Sequence, residues 1–227
     1  MPFTQVQVQT AGTTVNSASL TGTFSPAPTQ NNLIICLANS DATLTMTSSG
    51  WSLADSNVNN TGLYQWYKIA GASESASVTV TPSVSVTVEM VLLEFSGNAT
   101  VSVLDQTANA TGASTGTTST TTQADDLAVA AAGTSANSGS PTATWTNSFV
   151  AGASAFGQGS NNTAVMTATL ALVSTAAVSS VPTQTLNPGT FSGGVVATYK
   201  AATGGAPIVS PLRVQGPSYA AHRAASI

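Results

Sequence analysis

Apolar and polar residues alternate in short blocks along most of this chain. In residues 3–10, FTQVQVQT, Val6 and Val8 fall on one face of an extended strand and the three glutamines fall on the other. Residues 32–38, NLIICLA, form a continuous apolar run between turn-forming residues, which is typical of a strand buried on both faces. The pattern therefore predicts β-structure from the beginning of the sequence.

Further strands are predicted wherever β-branched and aromatic residues recur between turn-forming residues. They cover residues 19–24, 62–70, 76–97 as two strands parted at residues 81–83, 118–122, 126–132, 142–145, 148–156, 163–172 and 192–201. No segment repeats apolar residues at helical spacing among good helix formers. The predicted fold class is all-β, a single antiparallel β-sandwich of the jelly-roll type over residues 1–200.

The two halves of the sequence resemble each other weakly. The apolar strand at Leu33 has a counterpart at Leu127, and a tryptophan follows each strand after 18 residues, at Trp51 and Trp145. This indicates either a duplicated plan or the ready self-alignment of β-sequences with few residue types. Residues 107–123 are correspondingly either part of the sandwich or a linker between two bodies.

Residues 201–227 differ from the rest of the chain. They begin with a flexible AATGG joint and then carry three spaced prolines, which predicts an extended arm. Residues 200–227 contain Lys200, Arg213 and Arg223 and no acid, whereas residues 1–199 contain all eight acids and only Lys68 as a cation. An arm of this sign suits an acidic neighbour.

Charged residues make up 5% of the chain and hydrophobic residues 42%, with a formal net charge of -4. The hydrophobic fraction argues against a disordered chain. The negative charge argues against nucleic acid as a partner, because phosphate binding needs clustered Lys and Arg. No apolar run reaches the length of a membrane-spanning helix, so no membrane partner is predicted.

Candidate catalytic chemistry is sparse. Glu89 and Glu94 share one strand, but their odd spacing places them on opposite faces, so they cannot flank one glycosidic bond. Cys36 lies in an apolar run and is read as a buried hydrophobe. Asp125 and Asp126 are read as a turn before the next strand. The sequence predicts no catalytic residue, no metal site and no cofactor.

The aromatic residues allow two interpretations, core packing and carbohydrate contact. In residues 62–70, Tyr64, Trp66 and Lys68 fall on one face of the strand and Leu63, Gln65, Tyr67 and Ile69 on the other, so at least one face belongs to a core. Exposed aromatics among Asn and Asp also form sugar-stacking platforms. The candidate carbohydrate contacts are Trp51, Trp66 and Trp145.

Residues 31–97 carry the most specific pattern in the chain. It consists of a buried Leu-Ile strand, a Gly-Trp turn, a Tyr-x-Trp-Tyr-Lys-x-Ala-Gly strand, an alternating hairpin and a closing Glu-Phe-Ser-Gly. The pattern rests on Leu33, Gly50, Trp51, Tyr64, Trp66, Tyr67, Lys68, Gly71, Glu94, Phe95 and Gly97. It resembles surface proteins of tailed-bacteriophage virions with a concanavalin-like jelly-roll domain, found as head-decoration proteins, minor tail proteins and fibre-tip modules.

The resemblance implies a non-enzymatic structural protein of a phage particle, a capsid decoration or cement protein or a similar surface component. Its partners are expected to be other virion proteins and copies of itself, and its location the virion, after synthesis in the host cytoplasm without a signal peptide. The alternative is a minor tail or fibre-associated module that binds a host-surface glycan. The residues expected to dock the arm on a partner are Val209, Leu212, Arg213, Val214, Tyr219, Arg223 and Ile227.

Overall fold

A computed structural model describes residues 3–58 and 62–202 of the chain. All seven arm residues expected to dock on a partner lie outside the described residues. The described part contains strands and no helix, which confirms the all-β class predicted from the sequence.

Fifteen strands make up the described fold. In the first half they are β1 (Thr4–Gly12), β2 (Leu20–Thr23), β3 (Leu33–Ser40), β4 (Leu44–Met46), β5 (Ser52–Asn57), β6 (Leu63–Ile69), β7 (Ser77–Pro82) and β8 (Val88–Ser96). In the second half they are β9 (Leu104–Thr111), β10 (Leu127–Ser135), β11 (Thr142–Trp145), β12 (Val150–Phe156), β13 (Ala164–Ala171), β14 (Pro182–Leu186) and β15 (Thr190–Tyr199).

Two five-stranded antiparallel sheets pack face to face at the centre of the molecule. One has the order β1-β8-β3-β6-β5, and the other the order β12-β13-β10-β15-β9. Apolar residues from the facing sides of both sheets form the main core, including Ile35, Leu93, Val129 and Val195. The central strands β3, β8, β10 and β15 bury both faces, which is why their sequences are nearly continuous apolar runs.

A small sheet covers the outer face of each large sheet. Strands β2-β7-β4 enclose a second core with Ile34, Trp66 and Met90, and strands β11-β14 lie over a third core with Ala130 and Val196. Each half thus has the strand order of a jelly roll, with its fifth strand added to the large sheet. The molecule has four layers, small sheet, large sheet, large sheet and small sheet.

The duplicated plan suggested by the sequence is confirmed. Replacing β1, β8, β3, β6 and β5 by β9, β15, β10, β13 and β12 turns one large sheet into the other. The counterpart of β2 is the stretch around residues 115–121, whose Thr115, Thr118 and Thr121 each donate a backbone hydrogen bond to the chain between residues 176 and 180. This stretch therefore belongs to the β-body and does not link two separate bodies.

The strand predictions hold with two corrections. In β1, a bulge between Gln5 and Gln7 places Gln5 on the opposite face from Gln7 and Gln9. Residues 118–122 run beside the second small sheet but do not form a regular strand. The sequence pattern missed β4, β5, β9 and β14, which are short or rich in polar residues. All four lie at sheet edges, where a strand buries little of either face and its sequence carries little periodicity.

Candidate interaction surfaces

One side of the central sandwich is an open, uncharged edge. Strands β1 and β12 are the end strands of their sheets on this side, and neither contains a charged residue. Three valines are exposed along it, Val6 at 48%, Val8 at 36% and Val150 at 68%. Val8 is opposite Leu93 in the ladder, so it faces the second sheet from the rim of the sandwich. We call this surface the β1/β12 edge.

The two strands meet at one end of this edge. The backbone N–H of Gln158 donates to the carbonyl of Thr13 over 2.7 Å. A Cβ atom on Gly12 would lie 2.0 Å from the carbonyl oxygen of Phe156, so only glycine allows this approach. The two edge strands are therefore held together where they end and are open along the rest of their length.

The opposite side of the sandwich carries acids. It is formed by β5 and β9, which hold Asp55 and Asp105. Asn109 on β9 donates to Asp55 over 2.9 Å, which joins the two sheets at this side. Charge on an end strand opposes pairing with another chain, so the two sides of the sandwich differ in their capacity to associate.

The chain leaves the described body beside this acidic side. Lys200 donates its backbone N–H to Val103 over 2.7 Å, and Ala202 donates to Gly97 over 2.7 Å. The ammonium group of Lys200 lies 3.4 Å from a carboxyl oxygen of Asp105. The start of the predicted arm is therefore fixed to the body by backbone bonds and one ion pair.

A buried carboxyl pair lies next to this exit. Asp126, at the start of β10, is fully buried, and within the described residues neither of its oxygens has a hydrogen-bond donor in normal geometry. The pKa of Asp126 is raised to about 7, chiefly by burial. Protonated Asp126 also donates a hydrogen bond to Asp105, and the negative charge of Asp105 raises the pKa further. Although burial opposes it, hydrogen bonds from Thr122 and Asp126 and the charge of Lys200 lower the pKa of Asp105. The pair thus shares one proton between the lowered pKa of Asp105 and about pH 7.

Sequence reasoning missed this pair. Asp125 has a left-handed backbone with φ of 64°, as expected for the turn that was predicted, but Asp126 turns into the core. The only signal was a second acid directly before a buried strand.

A polar groove runs beside Trp51. The left-handed Gly50, with φ of +80°, turns the chain before β5 and leaves room for the Lys68 side chain. Lys68 donates to the carbonyl of Ser49 over 3.1 Å and to Glu74 over 2.8 Å. The half-buried indole of Trp51 forms one wall of the groove, which has a volume of about 370 Å³. Its other lining residues are mainly serines.

The three tryptophans have different environments. Trp66 is 5% exposed and stacks on Tyr64 with ring centres 4.9 Å apart, so it lies in the core. Trp51 and Trp145 are half-buried, each against the core beneath one small sheet. Trp145 also lines a narrow groove with Met166 and Thr167. Of the three candidate sugar contacts, Trp51 and Trp145 present part of their indole to the surface.

The two glutamates of β8 lie on opposite faces, as their spacing predicted. Glu89 faces the second large sheet and accepts hydrogen bonds from Asn39 over 2.8 Å and from Thr163 over 2.5 Å. Burial raises the pKa of Glu89 well above its usual range. Glu94 faces outward and accepts from the backbone of Thr29 over 2.8 Å and from Asn32 over 2.6 Å. Both carboxyls join neighbouring segments of the fold and do not approach each other.

Cys36 is fully buried in the core beneath the first small sheet, which confirms its reading as a hydrophobe, and burial raises the pKa of its thiol. In residues 3–58 and 62–202 no group of three His, Cys, Asp or Glu side chains is arranged to hold a metal ion. The same residues contain no helix with the length and apolar character needed to span a bilayer.

Comparison with protein-family models, with curated protein sequences and with solved structures gave no significant match for this chain. The functional argument therefore rests on the surfaces described above.

Proposed function

We propose that this protein is a non-enzymatic structural component of a bacteriophage particle, a capsid decoration or cement protein or a similar surface component. It docks through its β-sandwich surfaces and through the basic arm of residues 201–227. The observation that carries the proposal is the division of charge between arm and body. The body holds all eight acids, and Arg213 and Arg223 follow the point where the chain leaves it.

The body suits a role in packing against other proteins. Its strands end in loops rich in hydroxyl and amide groups, and 5% of its chain is charged, so few ions need to be desolvated at a contact. Four packed β-layers give a rigid unit, because both large sheets are covered on both faces. The resemblance of residues 31–97 to phage surface proteins supplies the setting.

Structural roles account for several residues of that resemblance. Lys68 fixes the Gly-Trp turn to Glu74, and although burial opposes it, hydrogen bonds from Gly71 and Lys68 lower the pKa of Glu74. Gly50 supplies the left-handed turn that brings Lys68 and the turn together. These residues specify a fold, which fits a structural protein better than a catalyst.

The test is incorporation into particles produced by a phage that lacks its own copy of the gene. Full-length protein, a truncation after Gly205, and the double variant Arg213→Ala with Arg223→Ala are each supplied in the host, and purified particles are assayed for the protein. The truncation is expected to stay folded and lose incorporation, and the double variant to incorporate weakly. Replacing both arginines by lysine is the matched control and should restore binding. Absence of the full-length protein from particles would overturn the proposal, and equal incorporation of the truncation would overturn the role of the arm.

The groove at Trp51 favours a second candidate, a tail or fibre-associated module that binds a host-surface glycan. A half-buried indole beside a cation, an acid and several serines provides stacking and hydrogen bonding for a sugar. Trp51→Ala would then abolish binding on a glycan array, while Trp145→Ala, in strand β11 of the second small sheet, would not. Equal loss with both variants, or no binding by the unmodified protein, contradicts this candidate.

A further inference from the structure

We propose that two copies of this protein associate through the β1/β12 edge, with β1 of one copy pairing antiparallel with β1 of the other. The partner on this surface is a second copy of the same chain. The association is independent of the proposed particle role, because it is read on the isolated protein.

The first argument is the backbone of the end strand. Every second residue of an end strand points its N–H and C=O groups away from the sheet, where they can pair with another strand. Natural proteins block such edges with charged residues or prolines, and β1 contains neither. A bulge between Gln5 and Gln7 bends the start of β1, and Gly12 packs against Phe156 at its end, so the regular segment available for pairing is residues 7–11.

The second argument is the side chains around this backbone. Val6 and Val8 on β1 and Val150 on β12 are exposed at the same side of the sandwich. Exposed apolar side chains grouped along an unpaired edge mark an interaction surface more than scattered ones do. In a twofold pair these valines would pack against their counterparts.

The third argument selects a second copy as the occupant. The chain has a net charge of -4, so two copies repel each other electrostatically as they approach. This repulsion is weakest where the surfaces that meet are uncharged. The β1/β12 edge has no charge in either strand, whereas the opposite side would bring Asp55 and Asp105 against their own copies. A pair built on one strand meeting itself is isologous and closes as a dimer.

The size of the contact sets the expected strength. The five regular residues 7–11 at about 3.4 Å each make an edge roughly 17 Å long. Two sheets about 10 Å apart with their outer side chains make it roughly 20 Å wide, or roughly 350 Å² for each copy. This is less than half of the ~800 Å² of a standard interface, so we expect a weak dimer with a dissociation constant on the order of 0.1 mM.

The test is analytical ultracentrifugation of the full-length protein from about 1 μM to about 1 mM. Val8→Lys places a charge on each side of the twofold contact and should weaken the dimer at least tenfold. Val101→Lys is the matched control, because Val101 is an exposed valine away from this edge and should leave the dimer unchanged. Circular dichroism of each variant confirms that it is folded.

A second measurement does not depend on a destabilising change. Thr10→Cys should form a disulfide-linked dimer under mild oxidation, and Val101→Cys should not, while the buried Cys36 stays unreactive in both. A wild-type protein that is monomeric throughout the range overturns the proposal. So does a dimer that Val8→Lys weakens no more than Val101→Lys, or association into open chains instead of dimers.

Discussion

Replacing Asp126 by asparagine should remove a pH-dependent loss of stability from this protein. Asp126 is fully buried beside Asp105, and its pKa is raised from 3.8 to about 7. Between these values the unfolded chain releases the proton and the folded chain keeps it. The stabilisation that comes from this proton is fully present below pH 3.8 and is lost as the pH rises through about 7.

The size of the effect follows from the pKa difference. One pKa unit corresponds to about 1.36 kcal/mol, so the raised pKa of Asp126 sets an upper limit of about 4 kcal/mol. Part of this is offset, because the same contact lowers the pKa of Asp105, whose stabilising effect has the opposite pH dependence. We therefore expect the free energy of unfolding of the wild type, relative to Asp126→Asn, to fall by about 2 to 4 kcal/mol between about pH 4 and pH 8.

The assay is urea denaturation followed by circular dichroism, with wild type and Asp126→Asn compared at each pH. Glu89 also has a raised pKa, but it is present in both proteins and its effect cancels in the difference. Asp125→Asn is the control, because it removes the exposed neighbouring charge and leaves the buried pair intact. The reasoning is refuted if the two stability curves run parallel, or if Asp126→Asn is the less stable protein at pH 8.

Three further predictions follow from the packing. Trp66→Ala should lower the free energy of unfolding by about 3–5 kcal/mol, because Trp66 lies in the core. Trp51→Ala and Trp145→Ala should lower it by less, because these two side chains are half-buried. Thermal melts that rank the three variants in the opposite order would contradict the burial argument. Tyr199→Phe should lower the free energy of unfolding, measured by urea denaturation, by about 1–2 kcal/mol. The reason is that the Tyr199 hydroxyl accepts a buried hydrogen bond from Gln65 over 2.9 Å, which joins the two large sheets. Unchanged stability would mean that Gln65 finds another partner. Gly12→Ala should lower the free energy of unfolding by about 1–3 kcal/mol, because the added methyl group would collide with the backbone of Phe156. Unchanged stability in chemical denaturation would show that β1 and β12 can move apart with little loss of free energy.

The central strands were predictable from the sequence because burial on both faces produces continuous apolar runs. Residues 33–40 and 127–135 are of this kind, and both are strands at the middle of a large sheet. Strand β9, by contrast, has the largely polar sequence LDQTANAT. It forms a strand because its backbone pairs antiparallel with β15. A strand that depends on a partner far along the chain carries little signal of its own.

The β6 sequence shows how much of the tryptophan environment could be predicted from local sequence. Its alternation required one buried face, and the structure buries both: Leu63 lies in the core between the large sheets and Trp66 in the core beneath the small sheet. A single sandwich has no place for the second core, so its burial depends on the small sheet β2-β7-β4. The same arrangement decides that Trp66 is part of the core while Trp51 reaches the surface. No local pattern distinguishes these two tryptophans.

The duplication of the fold explains why its two halves are joined face to face. Each jelly-roll half covers one side of its large sheet with a small sheet and leaves the other side apolar, with Ile35 and Leu93 in one half and Val129 and Val195 in the other. Either half alone would expose a whole sheet face to water, which a monomeric protein rarely does. Polar contacts then fix how the faces meet, because Gln65 must reach Tyr199 and Glu89 must reach Thr163. The pairing of two similar halves buries the inner faces of both large sheets, and of the two open sides of this central sandwich the one without charge is the β1/β12 edge.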